Sequence, residues 1–274
     1  MKQHRIIVKP LAGLANRMRV IDSAISLSKQ LDLPLEVVWN RERSLNCLYD
    51  DLFEPINEFS VSSSWYNGLR RSIRPWESLS FIFRENLSLK VKFAGRVWLY
   101  DTHPSFLQGM DFLKFKAKNL IYISTAHRFS EPANIPLFRP IPAILQRIDK
   151  LTAGFTDKTC GIHIRRSDSR LSISESPEYL FTDKINELIR RDPEIDFFLA
   201  TDDISIKSRF LGTYPGRIKT NDHKLGRDDI SGIQNALTDL YCLSRTSKIF
   251  GSFYSSFSAT ASLISGVPLD ILKV

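Results

Sequence analysis

Apolar residues fall along the chain in two alternating rhythms: short β-branched runs, and longer stretches with an apolar position every third or fourth residue. Arg5-Ile6-Ile7-Val8-Lys9-Pro10-Leu11 is a run of the first kind, followed by the glycine turn Ala12-Gly13-Leu14-Ala15-Asn16-Arg17. From Met18 to Leu31, Met18, Ile21, Ala24, Ile25, Leu27 and Leu31 stand at mostly helical spacing. Pro34 to Trp39 then reads as a second strand. The β-α-β order normally implies parallel strands joined by a right-handed crossover. Residues 60–118 read as a helix-rich insertion, followed by strands near Val97–Tyr100 and Leu120–Ile123.

Four prolines, Pro132, Pro136, Pro140 and Pro142, punctuate the middle of the chain. A helical pattern from Ile141 to Leu151 leads into a cleaner second half. Strands are expected at Thr159–Arg165, Asp196–Thr201, Arg217–Thr220 and Lys248–Ser252. Helices are expected between and after them, at Pro177–Arg191, Ile204–Leu211, Ile233–Ser244 and Ser255–Ser265. This order predicts a doubly wound α/β sheet with its ligand at the C-terminal strand ends. The division expected is 1–145 and 146–274, with no solenoid repeat and no low-complexity tract.

Length and composition fit that picture. The 274 residues suffice for two compact domains, and 43% hydrophobic content suits a folded, soluble chain. No apolar run is long enough to span a bilayer, and the N-terminus does not read as a secretory signal. Cys47, Cys160 and Cys242 are odd in number and far apart, which reads as buried thiols in a reducing cytoplasm. The net charge of +8 is uneven, since residues 61–118 hold ten Lys/Arg against four acids. That stretch also carries Trp65, Trp76, Phe81, Phe83, Phe93 and Trp98. Basic residues among aromatics suit an anionic membrane surface or a nucleic acid, although a solvated basic face over core aromatics explains them equally well.

Three polar clusters follow three of the expected strands. In His163-Ile164-Arg165-Arg166-Ser167-Asp168, the two arginines of an extended segment point to opposite sides. Arg165 shares a face with His163 and could bind a diphosphate bidentately, leaving Arg166 to pair with Asp168 or another carboxylate. The alternative is a strand-end salt bridge. In Leu199-Ala200-Thr201-Asp202-Asp203, the acids could hold ribose hydroxyls, or Asp203 could simply cap the next helix. No D-x-D triplet is present, which argues against a divalent-metal diphosphate clamp. In Gly251-Ser252-Phe253-Tyr254-Ser255-Ser256-Phe257-Ser258, a strand feeds a hydroxyl-rich helix start suited to phosphate or ribose. Asp239 lies among Leu237, Leu240, Tyr241 and Leu243 and needs a partner, either a ligand donor or an arginine. Serine-hydrolase, P-loop, zincin and dinucleotide fingerprints are absent.

These residues together resemble the GDP-fucose-dependent fucosyltransferases of the α1,6 and nodulation type and, more distantly, the protein O-fucosyltransferases. The H-x-R-R-x-D segment stands at His163–Asp168, A-T-D-D at Ala200–Asp203, the helix aspartate at Asp239, the serine pair at Ser255-Ser256 and G-x-x-N at Gly13–Asn16. Order and rough spacing agree over about residues 155–265 and at the opening of the chain. The resemblance implies a GT-B architecture of two Rossmann-like domains facing across a cleft, the first on the acceptor side and the second binding the nucleotide sugar. It implies guanine contacts from His163 and Asp239 and a β-phosphate contact from Arg165. Arg166, Asp168, Asp202, Asp203, Ser252, Ser255, Ser256, Gly13 and Asn16 complete the expected donor site.

It further implies inversion without a metal or other cofactor, the GDP-sugar being a co-substrate and a glycan or glycolipid the acceptor. A cytoplasmic enzyme is expected, with possible peripheral contact at the inner membrane face and no nucleic-acid partner. The chain departs from the pattern after the motif aspartate: a lysine and, a few residues on, a glutamate are expected there, whereas Ser169 and Arg170 follow and the nearest acids are Glu175 and Glu178. Glu175 is then the candidate base, with Asp168, Glu178 or an acid of the first domain next. The rivals are a non-catalytic GDP-sugar-binding protein and a nucleic-acid-binding protein using residues 61–118.

Overall fold

The structure, a computed structural model, describes residues 4–62, 89–93, 96–101, 107–167, 169–222, 226 and 228–274. The chain forms two compact units, Met1–Arg139 and Pro140–Val274. The first is built on a six-stranded sheet. Its strands are β1 (Arg5–Pro10), β2 (Leu35–Val38), β3 (Ser60–Ser62), β4 (Leu89–Phe93), β5 (Arg96–Asp101) and β6 (Leu120–Thr125). They are ordered β3-β2-β1-β6-β5-β4, parallel throughout except for β4 against β5. Ile6, Ile7 and Val8 are wholly buried although successive side chains face opposite ways, so β1 is covered on both faces.

Helix α1 (Leu14–Leu31) starts four residues before its apolar pattern does, with extended Gly13 as its N-cap and Leu14 and Ala15 buried. It ends at Asp32, whose left-handed φ of 55° turns the chain into β2. Of the expected insertion, residues 63–88, 94–95 and 102–106 lie outside the described residues. At 89–93 the helix-rich reading is corrected, because these residues form β4, antiparallel to β5 at the sheet edge, while β5 falls where a strand is expected near Val97–Tyr100. The reason is visible in Leu89-Lys90-Val91-Lys92-Phe93, where apolar and basic residues alternate with period two.

The second unit follows the expected winding. Its strands are β7 (Thr159–Ile164), β8 (Asp196–Thr201), β9 (Ile218–Thr220), β10 (Lys248–Ser252) and β11 (Leu269–Leu272), all parallel in the order β11-β10-β7-β8-β9. Its helices are α2 (Pro142–Thr152), α3 (Arg170–Glu175), α4 (Glu178–Arg191), α5 (Ile204–Thr213), α6 (Ile230–Ser244) and α7 (Ser256–Ser265). Ile162, Ile164, Phe181, Ile185, Phe197, Leu199, Ile206, Phe210 and Phe250 form one buried cluster between strands and helices. Helix α2 belongs to this unit because Arg147 donates to Asn235 Oδ1 at 3.0 Å and Arg245 meets Asp149 at 2.6 Å. Two elements were not expected. Residues 170–175, read as loop, form α3 because Ser169 caps it by accepting from the Ser172 N–H. Edge strand β11 is four residues long. The strand order reverses between β7 and β10, and at such a switch point the loops leave in opposite directions and open a crevice.

Candidate functional site

The ends of β7 and β10 meet at this reversal. His163 pairs with Gly251 in the sheet register. A Cβ on Gly251 would lie 2.6 Å from Ser258 Oγ, so glycine is what lets α7 approach the sheet here. Ser252 is wholly buried and latches the two strands. Its Oγ accepts from the Arg165 N–H at 3.0 Å and donates to His163 O at 3.3 Å. Beyond β8, Asp202 gathers the loop after β7. Its carboxylate accepts from the Arg166 N–H at 2.7 Å and the Ser167 hydroxyl at 2.7 Å, and pairs with Arg165 Nη1. Burial pushes the Asp202 pKa up, but the Arg165 charge and the hydrogen bonds from Ser167 and Arg166 together outweigh it, holding the group below its usual range.

His163 is 5% exposed, its ring stacked on Phe257 with centroids 4.9 Å apart. Burial lowers its pKa to about 4, against the pull of Asp202 and aided by Arg165 and Arg166, so the imidazole is neutral near physiological pH. Its Nδ1 is buried and has no hydrogen-bond partner among the described residues. Asp239 on α6 is 4% exposed, and its Oδ1 likewise has no partner among them. Burial raises the Asp239 pKa to about 7, while the Lys207 charge and a hydrogen bond from the Asn221 side chain pull it down. Neither His163 Nδ1 nor Asp239 Oδ1 is satisfied among the described residues, and buried polar atoms in native proteins nearly always are. An imidazole nitrogen and a carboxylate oxygen lacking partners are what a hydrogen-bonding heterocycle would need.

The other expected site residues divide by the work the fold gives them. Among the described residues, which leave out Asp168, the Arg166 guanidinium pairs with no carboxylate side chain. It donates to Arg165 O at 2.8 Å and Ser176 O at 2.9 Å, tying β7 to the α3–α4 junction. Asp203 caps α5, accepting from the N–H groups of Ser205 and Ile206 at 2.8 and 3.2 Å. Ser255 caps α7 through the Phe257 N–H, and Ser256 is the first residue of that helix; both are half-buried. Asp168 lies outside the described residues. Glu175 ends α3, and its carbonyl accepts the Val274 N–H at 2.9 Å. Glu178 is held by Arg209 at 2.6 and 3.0 Å. Gly13 and Asn16 stand at the start of α1 in the first unit.

Sequence reasoning passed over several residues that shape these surroundings. Phe257 was quoted only as part of a serine-rich turn, and Lys207 and Asn221 not at all. Ser172 and Ser176 fix the turn after β10, Ser172 donating to Phe253 O and Ser176 accepting the Phe253 N–H, both at 2.7 Å. In the first unit, wholly buried Arg17 fastens the glycine turn by donating to Ala12 O at 3.1 Å and Asn40 O at 2.8 Å. The signal available for Arg17 was its place directly after Asn16.

No family model matches the chain, and no curated protein matches it in sequence. Solved structures do match. Fucosyltransferase NodZ from Bradyrhizobium is 16% identical with a TM-score of 0.61, over 96% of this chain and 94% of that one. FUT1 of Arabidopsis thaliana, in complex with GDP, is 15% identical with a TM-score of 0.64, over 98% of this chain and 70% of that one. POFUT1 with GDP-fucose is 13% identical with a TM-score of 0.59, over 100% and 99%. The fold is the GT-B fold of these fucosyltransferases. The six- and five-stranded units are the two Rossmann-like halves of that GT-B fold.

Proposed function

We propose that the chain is an inverting fucosyltransferase that moves fucose from GDP-fucose to a hydroxyl of a glycan or glycolipid, without a metal ion. The observation that carries this reading is the meeting of neutral His163, Arg165 and Asp202 at the switch point of the second unit. Support comes from the shared fold of structures determined with GDP or GDP-fucose. In this reading Arg165 holds the diphosphate and stabilises the charge that grows on it as the sugar leaves. Asp202 orients the guanidinium beforehand. The unpartnered atoms of His163 and Asp239 take the guanine edge, and Ser255 and Ser256 lie at the helix start that faces the phosphates. Glu175 is the proposed base for the acceptor hydroxyl, since Glu178 is committed to Arg209.

Titration calorimetry with GDP, UDP and ADP tests the base preference: GDP should bind markedly tighter, and equal or absent binding of all three overturns the guanine assignment. Slow hydrolysis of GDP-fucose without acceptor separates an enzyme from a non-catalytic GDP-sugar-binding protein. That hydrolysis should survive EDTA, whereas inhibition restored by Mg²⁺ contradicts the arginine mechanism. For the base, Glu175→Gln should keep GDP affinity and lower transfer by roughly a hundredfold or more. Near-normal transfer by that variant removes Glu175 from the role.

A further inference from the structure

Lys207 is a lysine where lysines rarely sit. It lies in the first turn of α5, just past the end of β8, and is only 4% exposed. Its ammonium donates to Asn221 O at 2.6 Å, and Asn221, itself 1% exposed, directly follows the end of β9. That acceptor is a neutral carbonyl, which leaves the charge itself uncompensated. Buried charge of this kind calls for a nearby opposite charge. Asp239 supplies one. It reaches the same place from α6: the Asn221 side-chain amide donates to Asn235 O, one turn before Asp239, at 3.4 Å, and Asp239, itself 4% exposed, feels both the Lys207 charge and that amide. All three groups therefore collect beyond the C-terminal ends of β8 and β9, the sheet edge that also carries Arg165 and Ser252.

We propose that Lys207 is a positioning residue for the nucleotide base: its buried ammonium, anchored on Asn221, keeps the Asp239 carboxylate ionised and so able to accept from the N–H groups of a purine. This rests on the reading that Asp239 faces the guanine of a GDP-sugar. An ionised carboxylate offers only acceptors, whereas a protonated one presents an O–H that opposes an incoming N–H. Burial works against the ionised form here, and Lys207 is the buried cation that offsets it. The other charged or titratable groups around Asp239 among the described residues do not take this part. Arg147 of α2 is engaged by Asn235 and Gln234, one turn earlier on α6. Cys242, one turn later on α6, is a buried thiol with its pKa raised by burial, above all, and by Asp239. His163 of β7 is neutral. Helix α7 contributes no ionisable side chain.

The test is GDP affinity of the full chain, by calorimetry, from about pH 5.5 to about pH 8.5, for the unmutated protein, Lys207→Gln, Lys207→Arg and Asp239→Asn. Asp239→Asn gives the profile of GDP's own phosphate titration with the carboxylate removed. Relative to it, the unmutated protein should lose GDP affinity as pH falls through the Asp239 midpoint. Lys207→Gln, which can still donate to Asn221 O but carries no charge, should move that midpoint up by about one unit or more. GDP binding would then weaken by about tenfold below both midpoints and recover above them. Lys207→Arg should keep the original midpoint. A merely structural lysine would lower affinity equally at every pH, and an unchanged midpoint in Lys207→Gln overturns the proposal.

Two further results keep the conclusions separate. If the unmutated protein does not bind GDP, or binds it with the pH profile of Asp239→Asn, the guanine reading itself has failed. If Lys207→Gln does not fold, the ¹⁵Nζ resonance of Lys207 in the unmutated protein decides: it must remain an ammonium throughout the Asp239 titration. A neutral amine near about pH 7 overturns the proposal.

Discussion

At the scale of single residues, the second unit shifts two buried titratable groups in opposite directions, and their linkage to folding has opposite signs. Asp239 is raised to about 7, so the folded chain binds more protons than the unfolded one above the ordinary carboxylate range, and stability falls as pH rises through that window. Asp239→Asn should therefore stabilise the chain at about pH 8 by on the order of 4 kcal/mol and do little at about pH 4, as read from denaturant midpoints. His163 is lowered to about 4, so it withdraws stability as pH falls below the ordinary imidazole range. Arg165 makes a separate prediction. Arg165→Ala should weaken GDP by about 2–4 kcal/mol while leaving guanosine nearly unaffected, because the lost contact is a charge-assisted one to phosphate. Equal losses for both ligands in calorimetry would take the diphosphate away from Arg165. His163 and Arg165 were legible because they sit in one short motif at a strand end, and Asp239 because a carboxylate among leucines on a helix stands out. Lys207 and Asn221 were not, because they meet Asp239 from two other segments and no local pattern links them.

At the scale of elements, hydrophobic period and strand-end chemistry recovered most of the second unit, including β8 and β10 to the residue. The failures have local causes. Helix α3 is six residues long and carries no sustained period, so it read as loop. Edge strand β11 has only four residues, and Asp270 interrupts its apolar run. Strand β4 hid its alternation behind basic residues counted as a patch. Asp203 shows how a motif residue can serve its helix first. Asp203→Ala should cost about 1 kcal/mol of stability through the lost α5 cap and leave GDP affinity within about twofold. A tenfold or greater loss of affinity would show that Asp203 also holds ligand. Gly251 is constrained from the other side, by the closeness of α7 to the sheet. Gly251→Ala should cost about 1–3 kcal/mol in chemical denaturation, since Ser258 and Leu269 stand within 3.2 Å of the added methyl and little there can yield.

At the scale of the whole molecule, the motifs fall in two units that the sequence alone can only string together. His163, Arg165, Asp202, Ser252 and Asp239 belong to the second unit, and their approach follows from parallel strands ending on one edge. Gly13 and Asn16 belong to the first, where extended Gly13 opens an 18-residue helix that has no side-chain cap and no acid in its first turn. N–H groups without a side-chain cap can receive an anion, and the Glu42 carboxylate near this helix start is already paired with Lys9 and Arg17. The two halves of the motif set make different demands if one donor touches both. Asn16→Ala should then weaken GDP or GDP-fucose by at least about fivefold. Unchanged affinity for both nucleotides in Asn16→Ala, with transfer activity retained, would confine the donor to the second unit. The Gly13 turn would then be no more than the start of α1, held in place by buried Arg17.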